Sequence, residues 1–293
     1  LISFFSTFRT GFTDQFLYVF IQSRTLSSFV VKQPCGNSSN VIQVNLEVNS
    51  GLEVIVNVLV IGSAPDAIQA RDWDIKIFDQ VVAINNAWRA TTHWNELIFP
   101  YDFLDENKPS QLLNHQKFVT EEQFVPAQNL FGGFVYAGAT MAFTAGYWSL
   151  ASHRPTRLCF LGCNMNYSQN GPTHFYGKGQ PDPLRDDITL TSLRACSYRM
   201  LILAKMQGCD IVSLSTGETN LHVPQTSFEE FLDYRPAFII SREKMSQALQ
   251  YEKNLDYYVE DGRYWHKENF FCRDELKKLD RMWVNALTPS TVN

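Results

Sequence analysis

From Leu52 to Ile61 the chain reads LEVIVNVLVI, apolar at almost every position and rich in β-branched side chains. A run like this does not alternate between core and water. It suits a central parallel strand covered on both faces. The run ends in Gly62-Ser63-Ala64-Pro65-Asp66 and passes into a polar helical stretch, AIQARDWD. Strand, glycine turn and helix together make the first unit of a nucleotide-binding α/β sheet, in which amides at a helix start hold phosphate. The turn is not GxGxxG, and an ordinary strand-to-helix connection has the same pattern.

Four more apolar segments follow. Gln80 to Ile84 runs into Asn85-Asn86, and Leu97 to Phe99 runs into Pro100-Tyr101-Asp102. Arg157 to Gly162 precedes a long irregular stretch containing Asn164, and Asp210 to Leu214 ends in a polar run from Ser215 to Asn220. Helical patterns lie between them, at Ser110–Lys117, Tyr136–Ala151 and Leu190–Gly208. Apolar strands alternating with helices predict an α/β fold: a Rossmann-like parallel sheet with helices on both faces. Ser63, Asn85, Asp102, Asn164 and Ser215 then gather at the carboxyl edge, where open α/β sheets bind ligands. Asn85 and Asn86 suit base or ribose recognition because an amide both donates and accepts. Asp102 also fits a helix cap. Gly138, Ala142 and Ala145 let the Tyr136–Ala151 helix approach the sheet closely, its amino end directed to the same edge.

The stretch from Leu158 to Arg185 opens as a strand and then stays irregular far beyond the usual connection of about 4–6 residues. Its Asn, Tyr, Phe and His content argues for a functional loop rather than a linker. His174 is its candidate acid or base, though a structural histidine capped by Asp182 or Asp186 fits as well. From Ser227 onward the chain is charged and helical. The expected organisation is an N-terminal extension (1–50), a nucleotide-sugar-binding Rossmann-like domain (51–225) and a C-terminal helical tail or cap (226–293).

The 293 residues are 45% hydrophobic, enough for one sizeable core, and their net charge of -5 argues against an extended nucleic-acid surface. Six cysteines without CxxC pairs or zinc spacing predict buried reduced thiols and a cytoplasmic setting. His115 and His153 stand alone, as surface or core residues. The first 40 residues are aromatic and apolar, but their longest uncharged run is shorter than a membrane span of about 20 residues. A peripheral segment is expected there, compatible with the inner face of a membrane. Asn37-Ser38-Ser39 matches a glycosylation sequon.

Taken in order, these motifs resemble the bacterial sialyltransferases that use CMP-activated sialic acid, with related nonulosonate and Kdo transferases as looser cousins. The family's G-x-G-P-S turn corresponds to Gly62–Asp66, and its C-N-Q strand end to Ile84-Asn85-Asn86. Its T/S-G turn before a buried helix corresponds to Ala137-Gly138-Ala139-Thr140-Met141, and its G-I-D-F-Y to the run from Gly162 to Tyr167. A His-Tyr pair before a long helix corresponds to His174-Phe175-Tyr176. The chain departs from the pattern at Ala64, Asp66, Ala137 and Asn166-Tyr167.

The resemblance implies an inverting transfer without a catalytic metal or other cofactor, from a CMP-sugar donor to a glycan acceptor. It implies His174 as general base and Tyr167 and Tyr176 as donors to the departing phosphate. It places Gly62, Ser63, Ala64, Pro65, Asn85, Asn86, Gly138 and Asn164 around the nucleotide. Lys178, Arg185 or Arg194 suits the sugar carboxylate by charge. Two alternatives stand beside this one. In the first, Asp102 is the nucleophile of a retaining Kdo-type transferase; in the second, the protein binds a nucleotide-sugar without turnover. An NAD-dependent oxidoreductase is disfavoured, because GxGxxG is missing and no acid ends the second strand. The oligomeric state is not indicated.

Overall fold

The computed structural model describes residues 55–166, 173–177 and 186–289, with the backbone of four short strands nearer the amino terminus. The chain divides into two compact units, Leu1–Val54 and Ile55–Asn293. In the first, β1 (Ile2–Phe4) pairs antiparallel with β2 (Val19–Ile21), and β3 (Ser28–Val31) with β4 (Ile42–Asn45).

The second unit is built on a six-stranded, all-parallel sheet. Its strands are β5 (Asn57–Ile61), β6 (Gln80–Ile84), β7 (Glu96–Ile98), β8 (Lys117–Val119), β9 (Arg157–Leu161) and β10 (Asp210–Ser213). Their spatial order is β10-β9-β5-β6-β7-β8. The direction of winding therefore reverses between β5 and β9, the switch point at which such sheets open a crevice. The residues of β5 are buried throughout, as its apolar run requires. Val58, Val60, Val82 and Phe160 belong to the core under the long helices, and Leu59, Ile61, Val81 and Leu161 to the core on the opposite face.

Several elements differ from expectation. Five strands were expected, and β8 is the sixth. Its three residues run from exposed Lys117 to buried Val119, too short to give a periodic signal, and they pair along β7. Ser110 to Gln116 is turn and irregular chain rather than helix, and Lys117 opens β8. Pro65–Arg71 forms a 3-10 turn instead of an α-helix.

The helix expected over Tyr136–Ala151 is two helices, α2 (Phe134–Ala137) and α3 (Met141–Ser152). They break at Gly138, whose φ is +85° and whose absent Cβ would lie 2.9 Å from Phe143 and 3.2 Å from Cys196 Sγ. Thr140 starts α3 afresh, its hydroxyl accepting from Phe143 N–H at 3.3 Å. The SFEEFLDY segment makes turns, and Phe228 stacks on Trp73 at 4.4 Å to cover the second face of the sheet.

The remaining helices are α1 (Glu121–Asn129), α4 (Leu193–Met206), α5 (Arg242–Leu255) and α6 (Arg273–Ala286). β11 (Phe238–Ile240) and β12 (Leu287–Pro289) form an antiparallel pair. The C-terminal helices share the core of the sheet rather than trailing from it, with Leu276, Leu279 and Trp283 buried in it. Buried Arg199 of α4 donates to both carboxylate oxygens of Glu252 on α5, at 2.7 and 2.8 Å, and to the Tyr147 hydroxyl on α3 at 3.0 Å. Trp283 Nε1–H of α6 donates to the same Glu252 at 2.7 Å.

Cys159, Cys163, Cys196 and Cys209 are buried free thiols, and burial raises each above the ordinary thiol range. His153 binds Glu96 Oε2 at 3.0 Å at the amino end of β7, beside Trp148 and Lys117. The Asn37 sequon and Cys35 lie outside the described residues. Among the described residues no helix is long and apolar enough to cross a membrane.

Candidate functional site

The two strands that flank the switch point end in glycine, and the two glycines touch. Gly62 N–H donates to Leu161 O at 2.8 Å, and Ala64 N–H donates to Gly162 O at 2.9 Å. A Cβ on Gly62 would lie 2.3 Å from Gly162 O, and one on Gly162 would lie 2.7 Å from Ala67 Cβ. Gly162 also has φ +67°. Only residues without side chains let both exits turn away this close together.

Above them opens a cavity of about 430 Å³, within the range of small-molecule sites. Its wall brings together Gly62, Ser63, Ala64, Asn85, Asn86, Asp102, His174 and Tyr176, all of them candidates on sequence grounds.

His174 is buried, and Ser63 Oγ lies 2.8 Å from its Nδ1. The Ser63 carbonyl accepts from Phe175 N–H at 3.0 Å, and His174 and Gly177 exchange two main-chain hydrogen bonds at 3.0 Å. The Tyr176 ring stacks on the imidazole at 5.0 Å with 6° between the planes. The histidine is thus clamped to the first strand exit although it is 111 residues away in sequence. Burial lowers its pKa below the ordinary value of 6.5, against a smaller opposite effect from a hydrogen bond to the Ser63 main chain. Burial thus favours the neutral ring.

Asn85 takes a left-handed backbone conformation, φ +49°, which Asn tolerates better than most residues. The side-chain oxygens of Asn85 and Asn86 are buried without a hydrogen-bond partner among the described residues. Buried acceptors left unmatched are costly, and both asparagines belong to the cavity wall.

The cavity wall also carries residues that the sequence reading missed. Thr140, Met141 and Ala142 put the amino end of α3 on it, and Phe103, Leu104 and Asn107 come from the segment after β7. Thr140 carried a legible signal, a cap residue before an apolar run, obscured by reading the helix as starting at Tyr136.

Pro65, Gly138, Asn164 and Arg194 do not line the cavity. Pro65 is exposed at the start of its 3-10 turn, and Gly138 serves close packing. Asn164 Nδ2–H donates to Asp66 Oδ1 at 3.2 Å, tying the two strand exits together beneath the cavity. Arg194 is exposed in the first turn of α4. Asp102 is exposed on the cavity wall. Tyr167, Lys178 and Arg185 lie outside the described residues.

No family model, curated protein or solved structure matches the chain.

Proposed function

We propose that this protein is a glycosyltransferase moving an acidic, sialic-acid-like sugar from a CMP-activated donor to a glycan acceptor, with His174 as general base. One observation carries the reading: two asparagines and a buried imidazole line one cavity at the switch point of a parallel sheet. Cytidine has an exocyclic amino group and ribose hydroxyls to satisfy Asn85 and Asn86. A phosphate is favoured beside the amino end of α3, where unpaired amides and the helix dipole attract negative charge.

In the transfer, Ser63 Oγ accepts Nδ1–H, which leaves the Nε2 lone pair of His174 as the base. Nε2 takes the proton from an acceptor hydroxyl, and that oxygen bonds to the anomeric carbon opposite the phosphate. The anomeric carbon–phosphate oxygen bond breaks, and its electron pair departs with CMP. Configuration is inverted. Tyr176, with Tyr167 of the same loop, donates to the phosphate as its charge grows. Lys178 and Arg185 are the loop cations suited to the sugar carboxylate, with Arg194 in reserve.

His174→Ala should cut transfer by about 10²–10⁴-fold and leave CMP affinity unchanged in calorimetry; retained turnover removes His174 as the base. Asp102 on the same wall favours a second reading, double displacement through a glycosyl-aspartate. Mass spectrometry of enzyme quenched during turnover decides between them, since only that route leaves a sugar on Asp102. CMP binding without transfer or donor hydrolysis would instead identify a nucleotide-sugar-binding protein.

A further inference from the structure

Beside the cavity an aromatic pair stands in water. Tyr101 is 73% exposed and Trp265 is 45% exposed, and their rings stack at 6.3 Å with 27° between planes. Tyr101 directly precedes Asp102, Phe103 and Leu104, three residues of the cavity wall. Trp265 comes from the distant 3-10 turn Tyr264–Phe270. That turn is fixed through buried Tyr264, whose hydroxyl donates to Asp187 Oδ2 at 2.7 Å, at the far end of the long loop. Two separately anchored segments thus bring large rings together without burying them. The two rings, stacked on each other and open to water beside residues of the cavity wall, offer a surface on which a ligand can pack.

We propose that Tyr101 and Trp265 form the acceptor subsite, a stacking platform for a sugar unit of the acceptor glycan. This rests on the transferase reading and adds to it where the acceptor lies. A pyranose has a face of C–H bonds and a rim of hydroxyls. The C–H face packs on the electron-rich faces of aromatic rings, while the hydroxyls keep their partners in water or on nearby polar groups. Asp102 and Asn107 lie on the cavity side, and exposed Arg263, His266 and Lys267 flank Trp265. Two rings match one or two sugar units and fall far short of the roughly 800 Å² per partner that a stable protein interface needs.

The test is calorimetric titration of the full chain, with and without CMP, using neutral and acidic tri- to hexasaccharides of hexoses and N-acetylhexosamines. At least one should bind. Tyr101→Ala and Trp265→Ala should each weaken it roughly tenfold, the size of one lost stacking contact. Trp265→Phe should retain most of the affinity, and CMP binding should be equal in all variants. Equal glycan affinity in the alanine variants overturns the subsite, as does failure of every oligosaccharide to bind the CMP-loaded protein. It is also overturned if Trp265→Ala loses only association with phosphatidylcholine–phosphatidylglycerol vesicles, which would make the pair a membrane contact. Glycan binding that depends on both rings without any CMP binding would sink the donor assignment and leave the platform standing.

Discussion

Ser63 carries more of the site than its size suggests. Its hydroxyl meets His174 Nδ1 and its carbonyl holds Phe175 N–H, so one residue of the first strand exit fixes the position of the imidazole. Ser63→Ala should lower kcat about tenfold, the size of one lost hydrogen bond to the imidazole. Donor KM should hardly move, and Ser63→Thr should restore most of the rate. Because burial depresses the His174 pKa, kcat/KM should hold steady down to the ordinary value of 6.5 and fall only below it, as the imidazole gains a proton. An acid limb above that value contradicts a desolvated base. Beneath Ser63, Gly62→Ala would place a methyl carbon 2.3 Å from Gly162 O. A clash with backbone should destabilise by about 1–3 kcal/mol, read as a lowered urea midpoint, and it should weaken CMP binding at the same time.

The elements were legible where burial was total. The apolar run of β5, the strand ahead of Asn85 and the glycine exit of β9 could each be read from side-chain type, because a doubly covered strand leaves no room for polar residues. β8 was not legible, since an edge strand this short carries no pattern. The turn at Phe228 was misread because its aromatic spacing resembles a helix face, while tertiary stacking on Trp73 decided its conformation. In the site, the polar strand ends could be anticipated, but the Ser63–His174 contact could not. It is a long-range pairing set by how the loop returns, which no local preference encodes.

A contact between α6 and the turn just ahead of α4 offers a test at this scale. Asp280 of α6 accepts from Thr191 Oγ1 at 2.6 Å, and burial raises its pKa from 3.8 to about 6. A carboxyl with a raised folded pKa supports folding at acid pH, and that support is lost as pH rises from 3.8 through about 6. Asp280→Asn should therefore stabilise the protein by about 1–2 kcal/mol at pH 8, with the gain vanishing below pH 3.8. Urea unfolding at both pH values checks the sign.

At the scale of the whole molecule, Ile55–Asn293 is one compact unit, in which the C-terminal helices share the core on one face of the sheet. Arg199, Tyr147, Glu252 and Trp283 join α3, α4, α5 and α6 through a buried charge pair and its hydrogen bonds. Removing one partner of such a pair strands a buried charge, so Glu252→Gln should cost about 3–5 kcal/mol. Unfolding should remain a single transition followed equally by tryptophan fluorescence and circular dichroism. Two separate transitions would mean that the C-terminal helices fold independently of the sheet.

This frame holds two glycine strand exits, two asparagines and one histidine around a single cavity, and the proposed occupant of that cavity is a CMP-linked donor. Calorimetric titration with CMP tests it most directly, on the wild type, on His174→Ala and on Asn85→Gly, the last of which keeps the left-handed backbone and deletes only the amide. CMP affinity should be equal for the wild type and His174→Ala, and about tenfold lower for Asn85→Gly. Absence of CMP binding to the wild type, or binding indifferent to the loss of the Asn85 amide, would contradict it.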